Sequence, residues 1–287
     1  MAETEVDSSA NASKTSSTSS SPVSSPTRKH YSHSLKEDVV MVPTSDGIEL
    51  EARVCKQAST GNPRHNVCVL VSHPYGPLGG NLRNNVVEAV VYECMKLGLS
   101  TCRFNFRGCG KSGSRTSWNG TPELADMITM GTYCVEQMKC TRLLLVGYSY
   151  GSMMACAAAK ALIDNGVNVV GLVAISYPSS VMWFLTSGNS SAFTAPLQAL
   201  NKTPKLFLMG TSDNFTSISA HRQFVESIPL SIQFLYIAVT ADLDKPEASR
   251  HKLEDYTAAI GASEGTAQMR ESPVKNRVRR QKTVNLA

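Results

Sequence analysis

The sequence predicts an α/β protein built on a mostly parallel central sheet with helices on both faces. Three observations carry this. Strand-like runs alternate with helical ones from Val39 to Val239. The inner runs, such as Val67–Ser72 (VCVLVS), are apolar throughout, as strands covered on both faces must be. The series opens with two runs around Ser45-Asp46-Gly47, a hairpin turn.

The elements follow in order. Val39–Val42 and Ile48–Cys55 form the hairpin and Val67–Ser72 the third strand. Leu82 to Leu97 reads as a helix, because Val87, Val91, Cys94 and Leu97 recur at spacings of three and four. Leu99–Phe106 is the next strand. Thr121 followed by Pro122 reads as a helix cap with proline at the first position, and Met127, Cys134 and Met138 share one face. Arg142–Gly147 is a strand and Ser152–Leu162 an Ala-rich helix. Val169–Ile175, Lys205–Gly210 and Ile232–Val239 are strands, and Ile218–Ile228 is a helix between the last two. No internal repeat is present.

The two ends differ from the middle. Residues 1–34 are Ser-rich and too polar to offset ordering entropy, so they are expected to be disordered. Residues 262–287 read as a flexible basic tail carrying Lys275, Arg277, Arg279, Arg280 and Lys282. One domain is expected over residues 35–261. The net charge of +5 resides largely in that tail, and no nucleic-acid-reading module accompanies it.

None of the eight cysteines stands in a C-x-x-C pair, which removes the zinc signal. Several lie in apolar runs, as reduced thiols of a cytoplasmic protein would. The Ser-rich start shows no basic and then apolar stretch, so no signal peptide is expected there. The uncharged stretch Leu143–Ala159 is better read as strand, turn and helix than as a membrane span, and no stable membrane insertion is expected.

Ligands of such sheets bind in loops at the carboxyl ends of strands. Three of those loops look chemical. Gly147-Tyr148-Ser149-Tyr150-Gly151 matches G-x-S-x-G between a strand and a helix, the setting of a nucleophile elbow. Side chains at Gly147 and Gly151 would collide with backbone in so tight a turn. Ser149 is thereby expected to stand out at the positive end of the next helix.

The second loop, His73-Pro74-Tyr75-Gly76, follows the third strand. Acyl transfer needs two backbone donors aimed at a developing oxyanion. The N–H of Tyr150 and that of Tyr75 are the candidates. Gly76 and its neighbouring glycines would let backbone approach a ligand, while His73 is expected to brace its own loop.

In the third loop Gly108, Gly110 and Gly113 satisfy G-x-G-x-x-G, the signal of dinucleotide binding. Residues 114–121 separate those glycines from the next helix, so pyrophosphate would not meet a helix N-terminus. Gly110-Lys111-Ser112 fails as a P-loop, because Asn105 stands where glycine is required.

Four blocks, HPYGPLGGNLRNNVV, LSTCRFNFRGCGKSG, LLLVGYSYGS and KLFLMGTSDNF, resemble those of the small α/β-hydrolases with H-P-x-G, R-F-N-F-R-G and G-[FY]-S-[FY]-G motifs. The resemblance spans roughly residues 38–238. It implies the α/β-hydrolase fold with Ser149 as nucleophile and Asp213 as the triad acid, although Asp213 also suits a plain turn. Such a serine hydrolase would cleave an ester, thioester or amide of a small-molecule substrate through an acyl-enzyme, with no metal or cofactor. Ser179 to Lys202 would be a short lid. Trp183, Phe184 and Phe193 there would either line an acyl pocket or pack as ordinary core.

One part is missing. The resemblance implies a histidine directly after the last strand, but the loop reads Thr240-Ala241-Asp242-Leu243-Asp244. His221 is expected on a surface-facing helix position. His251, within the last predicted helix, remains the candidate base. The alternative is a catalytically impaired hydrolase-fold protein that binds a small molecule or, through its tails, a protein partner.

Overall fold

The computed structural model describes residues 36–57 and 66–229, and the backbone of strand 232–237. Eight strands form one sheet: β1 (Asp38–Pro43), β2 (Glu49–Cys55), β3 (Val67–Ser72), β4 (Ser100–Phe104), β5 (Arg142–Tyr148), β6 (Val169–Ile175), β7 (Lys205–Gly210) and β8 (Ile232–Ile237). Their order is β1-β2-β4-β3-β5-β6-β7-β8. β1 and β2 are antiparallel, as are β2 and β4; every other neighbouring pair is parallel. This is the α/β-hydrolase architecture expected. β5, with the elbow at its end, lies between β3 and β6.

The helices are α1 (Asn85–Lys96), α2 (Thr121–Glu136), α3 (Tyr150–Asp164), α4 (Met182–Leu185), α5 (Ser191–Gln198) and α6 (Ile218–Glu226). The apolar strands serve two cores. On β5, Leu143 and Leu145 join α2, α3 and α5 on one face. Leu144 and Val146 face Val87, Val91 and Cys94 of α1 on the other. Period-two alternation thus persists, with both faces dry. Centrally placed α3 is buried nearly all round, and its alanines and Gly151 let it lie close against the sheet.

Most element ends agree with the sequence within a residue or two. Three shift for definable reasons. α1 begins at Asn85, not Leu82, because the Asn84 side chain caps it by accepting from Val86 N–H. Leu82 is held in the loop, its N–H donating to Asn105 Oδ1 at 2.7 Å. β4 stops at Phe104 because Phe106 N–H turns to His73 Nε2 at 3.0 Å. α2 includes Thr121, with Gly120 as its cap at φ 75° and Asn119 Oδ1 accepting from Thr121 N–H. Among the described residues no helix is long and apolar enough to cross a membrane; Leu143–Ala159 is β5, turn and α3. All eight cysteines are free.

Candidate active site

Ser149 joins β5 to α3 at φ 53° and ψ −120°, a region non-glycine residues avoid. Its N–H donates to Ile175 O of the neighbouring strand at 2.8 Å. Its carbonyl accepts from Ser152 N–H (2.9 Å) and the Ser152 hydroxyl (2.6 Å). The strain is therefore held from both sides. The glycines have separate causes. A Cβ on Gly147 would lie 2.3 Å from Gly151 O, and one on Gly151 would lie 2.5 Å from Ser72 O and 2.6 Å from His73 O. The Ser72 hydroxyl clamps the same point, donating to Gly151 O at 2.9 Å. The Ser149 side chain is partly exposed.

Tyr150 is the first residue of α3, so its N–H has no acceptor within the helix and sits at the positive pole of the helix dipole. Its ring lies 5.1 Å from that of Tyr75, centroid to centroid. The elbow and the loop after β3 are thus adjacent. Tyr75 O accepts from Leu78 and Gly80 N–H, folding the loop into a tight turn. Two glycines here lie close against protein atoms: a Cβ on Gly76 would meet Cys109 Sγ at 2.4 Å, and one on Gly80 would meet Pro74 O at 2.0 Å.

His73 is fully buried. Its Nδ1 lies 2.6 Å from Pro74 O, and its Nε2 accepts from Phe106 N–H. Only the neutral ring with the proton on Nδ1 satisfies both bonds. Burial drives its pKa down to about 4, outweighing the Pro74 carbonyl. His73 braces the loop after β4 as well as its own.

That third loop is pinned by charge. The Arg107 guanidinium meets Asp126 at 2.6 Å and Asp46 at 2.9 Å, and Asp126 also accepts from Arg107 N–H. Glu51 of β2 accepts from Lys111 N–H and the Asn105 amide. Gly108 and Gly110 have φ of 75° and 54°. The G-x-G-x-x-G run is thus a tight turn packed against β2 that does not itself open a helix, since α2 begins only at Thr121.

Asp213 follows β7, half-buried, and Oδ1 accepts from Phe215 N–H (2.9 Å) and Thr216 N–H (3.0 Å). The plain turn and a fixed carboxylate are therefore the same feature. His221 departs from expectation: it faces inward from α6, fully buried, its ring 6.1 Å from that of Phe207. The buried residues on α6 are His221 and Val225, four apart, and both stand on its inner stripe. Burial lowers the His221 pKa to about 4, against the opposing pull of the Asp213 charge. The structure thus brings Asp213 and His221 within electrostatic range. His251 and the loop Thr240–Asp244 lie outside the described residues.

Of the three aromatics between Ser179 and Lys202, Phe193 is buried in the main core while Trp183 and Phe184 are exposed. Sequence reasoning missed the Ser72 clamp and the Arg107–Asp126 pair. A serine ending a strand and a charged pair 19 residues apart leave no local signature.

A family model described as alpha/beta hydrolase domain matches residues 65–261. No curated protein matches the chain. Among solved structures, an alpha-beta serine hydrolase homologue from Coxiella burnetii is 23% identical over 78% of this chain and 97% of its own, with a TM-score of 0.63. A serine hydrolase without lid from Xanthomonas campestris is 21% identical, covering 78% and 94%, with a TM-score of 0.62. An esterase of Pyrococcus furiosus is 16% identical, covering 79% and 90%, with a TM-score of 0.59.

Proposed function

This chain belongs to the alpha/beta hydrolase family, and from that premise we propose that it is a serine hydrolase forming an acyl-enzyme on Ser149. The observation that carries the proposal is the strained turn: a part-exposed hydroxyl at φ 53°, at the N-terminus of a buried helix. In this reading Ser149 Oγ attacks the carbonyl of an ester, thioester or amide. Its proton passes to a histidine, and the oxyanion is held by the N–H groups of Tyr150 and Tyr75. Collapse expels the alcohol, thiol or amine, which takes that proton. Water then repeats the sequence and frees Ser149.

His73 is unsuited to be the base, because both ring nitrogens are committed to backbone. We propose His251 for the role, with Asp213 as the acid of the triad. Without a base a serine nucleophile loses on the order of a million-fold in turnover. The missing histidine after the last strand favours a second reading, a hydrolase-fold binding module.

A fluorophosphonate probe separates the two. Stoichiometric labelling of the full chain, abolished by Ser149→Ala and strongly slowed by His251→Ala, is expected of the enzyme. A folded protein that resists labelling would be the binding module. Labelling that survives Ser149→Ala would refute the site.

A further inference from the structure

We propose that the carboxyl end of the sheet docks peripherally on an anionic lipid surface, with Trp118, Trp183 and Phe184 entering the boundary between headgroups and acyl chains. The inference rests on placement and exposure and is independent of catalysis at Ser149.

The parallel strands put the loops after β3, β4, β5, β6 and β7 at one end of the sheet. Among the described residues seven large apolar side chains are exposed, and five lie in these loops: Leu78, Trp118, Trp183, Phe184 and Phe215. By sheet order they bracket the elbow, Leu78 and Trp118 on one side and the others opposite. Scattered single apolar residues need no explanation, but such a rim on one end does.

The tryptophans are held out, not left loose. Trp118 is 81% exposed. Yet Ser117 before it is bound by backbone (2.6 Å) and hydroxyl (2.5 Å) to buried Glu123. Trp118 O accepts from the Ser187 hydroxyl at 2.8 Å, tying the loop after β4 to the one after β6. Trp183, 67% exposed, is fixed through its carbonyl to Gly188 N–H. Fixed backbone with projecting indoles limits the entropy lost on binding.

Charge decides the occupant. The loops at 73–84 and 105–120, which present Leu78 and Trp118, contain no Asp or Glu, and neither does 176–203, which presents Trp183 and Phe184. Arg83, Lys111 and Arg115 in the first two are exposed. Of nearby acids among the described residues, Asp46 is paired with Arg107 and Asp213 is tied to two amides, leaving Glu49 at the start of β2 exposed. Interfacial aromatics flanked by cations suit a surface with anionic headgroups.

The chain has only two tryptophans, and both are on this rim. Intrinsic fluorescence therefore reports docking directly on the unlabelled full chain. On adding phosphatidylcholine vesicles containing phosphatidylserine, the emission is expected to shift to the blue and to be quenched by brominated acyl chains. Phosphatidylcholine alone should act more weakly. The triple variant Trp118→Ala, Trp183→Ala, Phe184→Ala should lose about tenfold in partitioning per aromatic removed in co-sedimentation, while keeping the wild-type melting temperature. Arg83→Glu should weaken binding by about fivefold or more.

Three results would overturn the proposal. One is no binding to the anionic vesicles. Another is co-sedimentation with unchanged emission, which would assign binding to the basic tail. The third is a rim whose aromatics hold two copies together, seen as a dimer that the triple variant dissolves without any vesicle binding.

Discussion

Replacing Gly151 by alanine tests the elbow most directly. The added Cβ would lie 2.5 Å from Ser72 O, 2.6 Å from His73 O and 2.7 Å from Ser72 C. All three are backbone atoms, about 1 Å inside comfortable contact, and none belongs to a flexible side chain. Either α3 or the end of β3 must move, and the Ser72 clamp on Gly151 O opposes both. Such overpacking costs about 3 kcal/mol, or roughly 10 °C in melting temperature for a domain of this size. The displacement propagates through His73 to Tyr75 N–H, and a shift of about 1 Å in positioning groups costs about a hundredfold in rate. Gly171→Ala is the control: its Cβ would meet only Leu144 Cδ1 at 3.3 Å and Pro204 O at 3.6 Å, so stability should change by less than about 1 kcal/mol. Thermal melts by circular dichroism and fluorophosphonate labelling rates read both effects. If Gly151→Ala melts and labels like the wild type, the turn is not packed as described and the reasoning fails.

Other perturbations separate strain, charge and protonation. Ser149→Gly relieves φ 53° and should raise stability by about 1 kcal/mol while abolishing labelling; a lower melting temperature would show the turn to be unstrained. Asp126→Asn removes the carboxylate from the buried Arg107 and should cost about 3 kcal/mol, measured by urea unfolding; an unchanged midpoint would place the pair in solvent. Ser72→Ala loses the bond to Gly151 O and about 1 kcal/mol, so a neutral melt would count against the clamp.

The pH dependence follows from His73, whose folded pKa of about 4 lies below its ordinary 6.5. Between those values the unfolded chain binds a proton that the folded one excludes. Stability is therefore complete above about pH 6.5 and falls as pH drops toward 4, by up to about 1.4 kcal/mol per pH unit. His221, lowered to about 4 as well, adds in the same direction. Urea midpoints that stay flat from pH 7 to pH 5 would refute both assignments.

Much of this protein is legible in one dimension because its signals are local. A strand buried on both faces must be apolar at every position, so VCVLVS and LLLV announce themselves. The elbow motif is equally local: glycines stand two residues either side of Ser149, and a Cβ added at Gly147 or Gly151 would run into backbone. What tertiary structure alone decided concerns partners distant along the chain. Nothing near His221 reveals that α6 turns it inward against Phe207, and nothing near His73 reveals that Phe106 N–H holds its second nitrogen. Gly76 needs no side chain because Cys109 Sγ occupies the space, a reason carried by another loop. Periodicity encodes which face a residue takes, but the atoms it meets are set only when parallel strands gather their loops at one end of the sheet.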